Sequence, residues 1–216
     1  MGRIVLVRRC PQMERPMAEE KRTGYVVNFA SLPEKYPTHA HEPSFWESLG
    51  RTVATFGFLE EVLSKAIFSF IATRPYNEEE IQEAYEKWFP TLEHALTDTL
   101  RPLIDTYERS VRGHPDAAID HFDDMLDDLR KASEFRNILC HGSWRPPDSA
   151  GAAYPFFVDR KKRVFDGSFD VHSLARLQNQ VTDLACMVIS TVTCMGWQFP
   201  GSNGPGKVIW NIGPKA

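Results

Sequence analysis

"SEFRNILCHGSW", residues 133–144, decides how the rest of the chain is read. Stepping back from it by threes and fours, Ala132, Leu129, Met125, Phe122 and Ala118 lie on one face of a helix. Stepping forward seven from Leu129 lands on Arg136, so the apolar stripe is interrupted by charge and followed at once by Asn137 and His141. Gly142 suits the left-handed residue that closes a helix, and Pro146-Pro147 forbids its resumption. The spacing therefore predicts a helix from near Pro115 to Cys140 or His141.

Similar stripes occur on either side. Trp46, Leu49, Val53, Phe56, Leu63, Ile67 and Phe70 predict a helix over about 43–73. Asn77 with the acidic run after it opens a second, about 78–111, with Leu92, Leu96, Leu100, Leu103 and Tyr107 on its stripe. A break near Phe89-Pro90 and a kink at Pro102 are expected there, because a proline ring removes a backbone hydrogen bond. Asp170 caps a last helix carrying Leu174, Leu177, Val181, Leu184, Val188, Val192 and Met195. Between these helices "YPFFVDRKKRVFDGSF", residues 154–169, is aromatic and β-branched on both sides of a basic tip, the pattern of a β-hairpin. Four amphipathic helices most simply bury their apolar faces together, so the expected fold is all-α: a four-helix bundle with a hairpin inserted between the third and fourth helices.

The expected organisation is an irregular N-terminal arm over 1–42 with one strand at "GYVVNF", a helical bundle domain over 43–197, and a Gly/Pro-rich tail over 198–216 docked by Trp210. In 216 residues, 42% hydrophobic and 25% charged residues describe a soluble globular chain, and charge interrupts each apolar run well short of a membrane span. A net charge of −4 means that any polyanion must be held by a local basic patch. Cys10, Cys140, Cys186 and Cys194 contain no CxxC pair, and they read as buried thiols of a reducing, cytoplasmic compartment. The start has no cleavage pattern of a signal peptide, and Met17 offers a second initiation point.

Charge on a bundle-facing position needs a partner. Glu60 lies four residues beyond Phe56 on the first stripe, so Glu60 and Arg136 either meet across the two helices or Glu60, beside Glu61, points to water. Asn137 and His141 are four apart and lie one above the other on a helical face. At a helix C-terminus the dipole favours a protonated imidazole and burial opposes it, so His141 can exchange protons near neutrality. The same two residues also serve simply to finish a helix before a glycine.

"RNILCHG" resembles the Arg-polar-x-x-x-His motif of the HEPN superfamily (higher eukaryotes and prokaryotes nucleotide-binding domains), four-helix bundles that carry it at the end of their third long helix. Helix order and a glutamate in mid first helix extend the resemblance over about 43–197. It implies a metal-independent endoribonuclease without a cofactor, acting as a homodimer in a toxin or phage-defence setting. Arg136, Asn137 and His141 would be its catalytic residues and Glu60 a supporting one. Its products would be 2′,3′-cyclic phosphate and 5′-hydroxyl ends. Where that subgroup of the superfamily that pairs with a nucleotidyltransferase antitoxin often has a tyrosine two places after the histidine, this chain has Ser143. Other HEPN domains are non-catalytic modules that bind a partner protein or a nucleotide.

Arg145 and the tip Arg160, Lys161, Lys162 and Arg163 are the candidate RNA contacts, or else a solvated turn. Asp116, Asp120, Asp123, Asp124, Asp127 and Asp128 make an acidic face that either meets a basic antitoxin or regulator or is simply solvated. His39, His41 and Glu42 lack a further ligand at helical spacing and are not read as a metal site. The chain has no phosphate-cradling glycine loop, nucleophile elbow or dinucleotide fingerprint.

Overall fold

The computed structural model describes residues 6–9, 24–77, 86 and 99–209. Among them the chain is mainly helical, with α1 (Pro43–Thr73), α2 (Leu100–Arg112), α3 (Phe122–His141) and α4 (Val171–Thr193). Strands β1 (Leu6–Arg9) and β2 (Tyr25–Val27) form one small antiparallel pair, and β3 (Ser143–Trp144) and β4 (Pro155–Phe156) another. The expected helical segment over 78–98, apart from Glu86, lies outside the described residues, as do Cys10 and Trp210. No described helix is long and apolar enough to cross a membrane.

α1 starts where Pro43 takes its first position, since a ring there removes only an N–H that has no acceptor in the helix. Its buried face runs Phe45, Leu49, Thr52, Phe56, Leu59, Leu63, Ile67 and Phe70. Thr52 is tolerated in that face because its hydroxyl bonds the carbonyls of Ser48 and Leu174. That contact puts the start of α4 beside α1. At the far ends, Tyr107 stacks edge-on against Phe70 and bonds Thr191, so α1 and α4 run side by side in the same direction. Glu108 pairs with Arg130, and Arg112 with Asp123, in opposite chain order, so α2 and α3 are antiparallel.

α4 opens on a complete capping box: the Asp170 carboxylate accepts from Ser173 N, and the Ser173 hydroxyl reciprocates at Asp170 N. Those bonds hold the Asp170 carboxyl below its ordinary value.

Four expectations are corrected. Pro102 does not kink a helix: it is the third residue of α2, in the first turn, where its missing N–H costs nothing. α3 begins at Phe122 rather than near Pro115, and Ala118 is exposed. The reason is a tertiary contact. Buried His114 accepts from Asp116 N at Nδ1 and faces Thr73 Oγ1 through Nε2, pinning the 113–117 turn to the end of α1, and His121 enters α3 in the left-handed region at φ 56°. Gly142 is extended, with φ −68° and ψ 138°. Its glycine serves space instead: a Cβ there would sit 2.6 Å from the Ile138 carbonyl oxygen and 2.8 Å from Pro155 Cβ. Finally, Cys140, Cys186 and Cys194 are exposed thiols, Cys140 although its neighbours Ile138 and Leu139 are buried.

Residues 153–169 form antiparallel arms in one register, with Ala153 opposite Phe169 and Val158 opposite Val164. β3 adds along the first arm, pairing Ser143 with Phe156 and Trp144 with Pro155. The inward side chains Trp144, Phe157, Phe165 and Phe169 pack on the core, Trp144 against Phe45 and Phe169 against Phe135. This cover explains why Ile138, on the side of α3 away from the bundle stripe, is buried. After α4 the chain hooks back, Lys207 N bonding Gly196 O and Gln198 N bonding Lys207 O.

Candidate functional site

The last two turns of α3 hold Arg136, Asn137 and His141. Arg136 occupies the bundle stripe, and its Nε lies 3.4 Å from Glu60 Oε1, with both side chains roughly three-quarters buried. The two charges therefore meet across α1 and α3. The contact is not an aligned hydrogen bond: Glu60 Oε1 is sealed from solvent and accepts none among the described residues. A carboxylate and a guanidinium at this distance offset part of each other's desolvation by charge alone, and the remaining N–H donors of Arg136 stay available to an incoming anion.

Asn137 is partly buried and His141 exposed. One turn apart, they share a face with Glu134, the residue one turn earlier. Neither the Asn137 amide nor the His141 imidazole is engaged by another described side chain, so both are open to a ligand. The Gly142 N–H closes the helix onto Ile138 O, and the extended Gly142 then leads directly from the His141 turn into β3. A polar pair and a held cation thus sit where the bundle meets the hairpin.

The candidate RNA contacts divide. Arg145, which follows β3, lays its guanidinium 5.2 Å from the centroid of the Phe156 ring. Arg160, Lys161 and Lys162 are exposed at the hairpin tip. Arg163 is spent inside the turn: its Nε donates to Asp159 Oδ2 at 2.7 Å, while Asp159 Oδ1 accepts from Lys161 N and Arg163 N. The backbone and side chain of Arg163 hold the Asp159 carboxyl below its usual range. In turn Asp159, and more weakly the charge of Glu134, raise the Arg163 guanidinium.

The acidic start of α3 is largely paired within the chain, with Arg112 on Asp123, His121 near Asp124, Arg130 on Asp127 and Lys131 on Asp128. An open depression of about 670 Å³ lies there, lined by Arg112, His121, Phe122, Asp123 and Asp124 among others, at the opposite end of α3 from His141. Among the described residues no group of three or more His, Cys, Asp or Glu is placed to hold a metal ion.

Two features escape a reading of the sequence. His41 is buried with both ring nitrogens unbonded, stacked on Phe45 and edge-on to Trp46. Tyr154, Phe156, Val158 and Val164 all face outward from the hairpin; the signal for the first three was their strict alternation with Pro155 and Phe157. The chain matches no protein-family model, no curated protein and no solved structure, so the roles of these residues rest on their geometry.

Proposed function

We propose that the chain is a metal-independent endoribonuclease of the HEPN type, cytoplasmic and homodimeric, serving as a toxin or phage-defence effector. The observation that carries the reading is the pairing of a charge-held Arg136 with an unengaged amide and imidazole, Asn137 and His141, within two turns at the end of one helix. In RNA cleavage of this kind the 2′-oxygen attacks the adjacent phosphorus as the bond to the 5′-oxygen breaks. The 2′-hydroxyl proton leaves to a base, and a proton goes to the departing 5′-oxygen, giving cyclic phosphate and 5′-hydroxyl ends.

His141 is the group for those proton transfers, since imidazole is the side chain that ordinarily titrates near neutral pH. Arg136 stabilises charge on the phosphorane oxygens, and Glu60 keeps the guanidinium from swinging away. Asn137 orients the phosphate or the imidazole. In a dimer that brings two α3 ends together, one His141 serves as base and its partner's as acid, which is the reason for assigning a homodimer. Arg145 and the tip cations supply sequence-independent phosphate contacts.

The test is chemical. Purified protein incubated with RNA and excess chelator gives fragments ending in cyclic phosphate, and the His141→Ala variant gives none. RNA left intact by the folded wild-type protein sinks the proposal in favour of a non-catalytic module of the same fold.

A further inference from the structure

We propose that the outward face of the hairpin is a stacking platform for unpaired RNA, taking bases on Phe156 and Tyr154 and phosphates on Arg145, Arg160, Lys161 and Lys162. The inference rests on RNA being the substrate and adds its strand state: single-stranded rather than duplex. The face is built by register. Directly opposed residues point the same way, so Ser143 with Phe156, and Val158 with Val164, share the outer side, while Trp144 with Pro155 and Ala153 with Phe169 share the inner one. The outer apolar side chains remain 42–60% exposed, unlike the inner aromatics that seal the core.

Charge decides the occupant. Two nearby aspartates are consumed inside loops: Asp148 accepts from Ala150 N, Ala152 N and the Tyr154 hydroxyl, and Asp159 holds Arg163 and the tip backbone. Asp166, which falls opposite Phe156 in the same register, is exposed on the platform side. Arg145, Arg160, Lys161 and Lys162 have no such carboxylate partner among the described residues. Four cations outnumber Asp166 around the exposed rings, an excess of positive charge that suits a polyanion carrying its own flat apolar groups, and unpaired RNA is that polymer; in a duplex the base faces are already stacked. The Arg145 guanidinium, parked over Phe156, offers a second planar surface for a base. Distance also fits the site. Ser143 opposes Phe156 and is two residues from His141, so the Cα atoms of Phe156 and His141 lie no more than about 13 Å apart.

The experiment uses the full-length His141→Ala protein, so that binding is read without cleavage, and a fluorescent adenine-rich 12-nucleotide RNA against the same sequence in a duplex. Anisotropy should show the single strand bound more tightly than the duplex. Phe156→Ala should weaken single-strand binding roughly tenfold at unchanged melting temperature, and Phe156→Trp should restore it. Lys161→Gln should lower the slope of log affinity against log salt by about 0.7. Binding that Phe156→Ala leaves unchanged, tighter binding of the duplex, or absence of binding at low salt would each overturn the platform. So would a concentration-dependent dimer that Phe156→Ala dissolves without altering RNA affinity, which would make the face a self-association surface. The two readings fail separately: RNA bound through Phe156 but left uncut by wild type refutes the nuclease alone, and cleavage with binding indifferent to Phe156 refutes the platform alone.

Discussion

Glu60 Oε1 and Arg136 Nε stand 3.4 Å apart, joining the middle of α1 to the end of α3 by charge without an aligned hydrogen bond. Removing either partner strands the other in a half-closed position. A double-mutant cycle of Glu60→Gln and Arg136→Met should therefore show a favourable coupling of about 1 kcal/mol in urea denaturation, shrinking with added salt. The functional consequence is separate: Glu60→Gln should lower RNA cleavage partially, through a looser guanidinium, where Arg136→Met abolishes it. A cycle that sums to zero would show that each charge is solvated independently.

His41 sets a pH dependence. Burial lowers its pKa from 6.5, with the backbone carbonyl of Arg145 pulling more weakly the other way, so the folded protein favours the neutral ring. The unfolded chain then binds more protons between the folded and unfolded pKa values, and stability falls as pH drops below about 6.5. His41→Phe keeps a ring against Phe45 and Trp46 but cannot titrate. Melting temperatures measured from pH 7.5 to pH 5 should fall more for wild type than for His41→Phe; parallel curves would show that His41 is not protonated on unfolding in that window.

The parts of the fold legible in the sequence are those set by periodicity and local capping. Steps of three and four place Leu49 to Phe70 and Leu174 to Val192 in the core, although Trp46 and Val53 on the first stripe are only partly buried and Phe45 takes the inner place, and Asp170 announces α4. The meeting of Glu60 with Arg136 is one of the two arrangements that the stripes allow, and the structure selects it over a Glu60 turned to water. What stays hidden depends on contacts distant in sequence. Pro115 offers a helix start on paper, yet His114 reaching Thr73 holds that segment as a turn. Gly142 looks like a left-handed cap until Pro155, thirteen residues on, is seen pressed against it. The outward rings of the hairpin are visible as alternation, but which side is buried follows only from β3 packing Trp144 onto Phe45.

Gly142→Ala tests that steric role. The backbone there is one any residue adopts, so strain in φ is not the cost. A methyl group 2.6 Å from Ile138 O and 2.8 Å from Pro155 Cβ must push either the helix end or β4 away. The substitution should destabilise by about 1–3 kcal/mol in chemical denaturation, and it should raise hydrogen exchange at the Ser143–Phe156 pairing. A neutral effect would show that the hairpin accommodates the methyl by a rigid shift.

Tyr107 and Thr191 form the polar tie inside the core. Both are buried, and their oxygens lie 2.9 Å apart. Thr191 already donates its proton to Val188 O at 2.7 Å, so the Tyr107 hydroxyl must be the donor between them. Burial pushes that phenol well above its ordinary value, and it stays protonated throughout the range in which the protein is handled. The two deletions are therefore unequal. Tyr107→Phe removes the donor and leaves Thr191 still bonded to its own helix, costing about 1 kcal/mol. Thr191→Val leaves a hydroxyl donor sealed in the core with no acceptor, costing up to about 3 kcal/mol, although valine matches threonine in shape. Denaturation of the two variants should rank Thr191→Val as the more damaging, and the double variant should be closer to Tyr107→Phe than to the sum of both losses, because it removes the orphaned donor along with its acceptor.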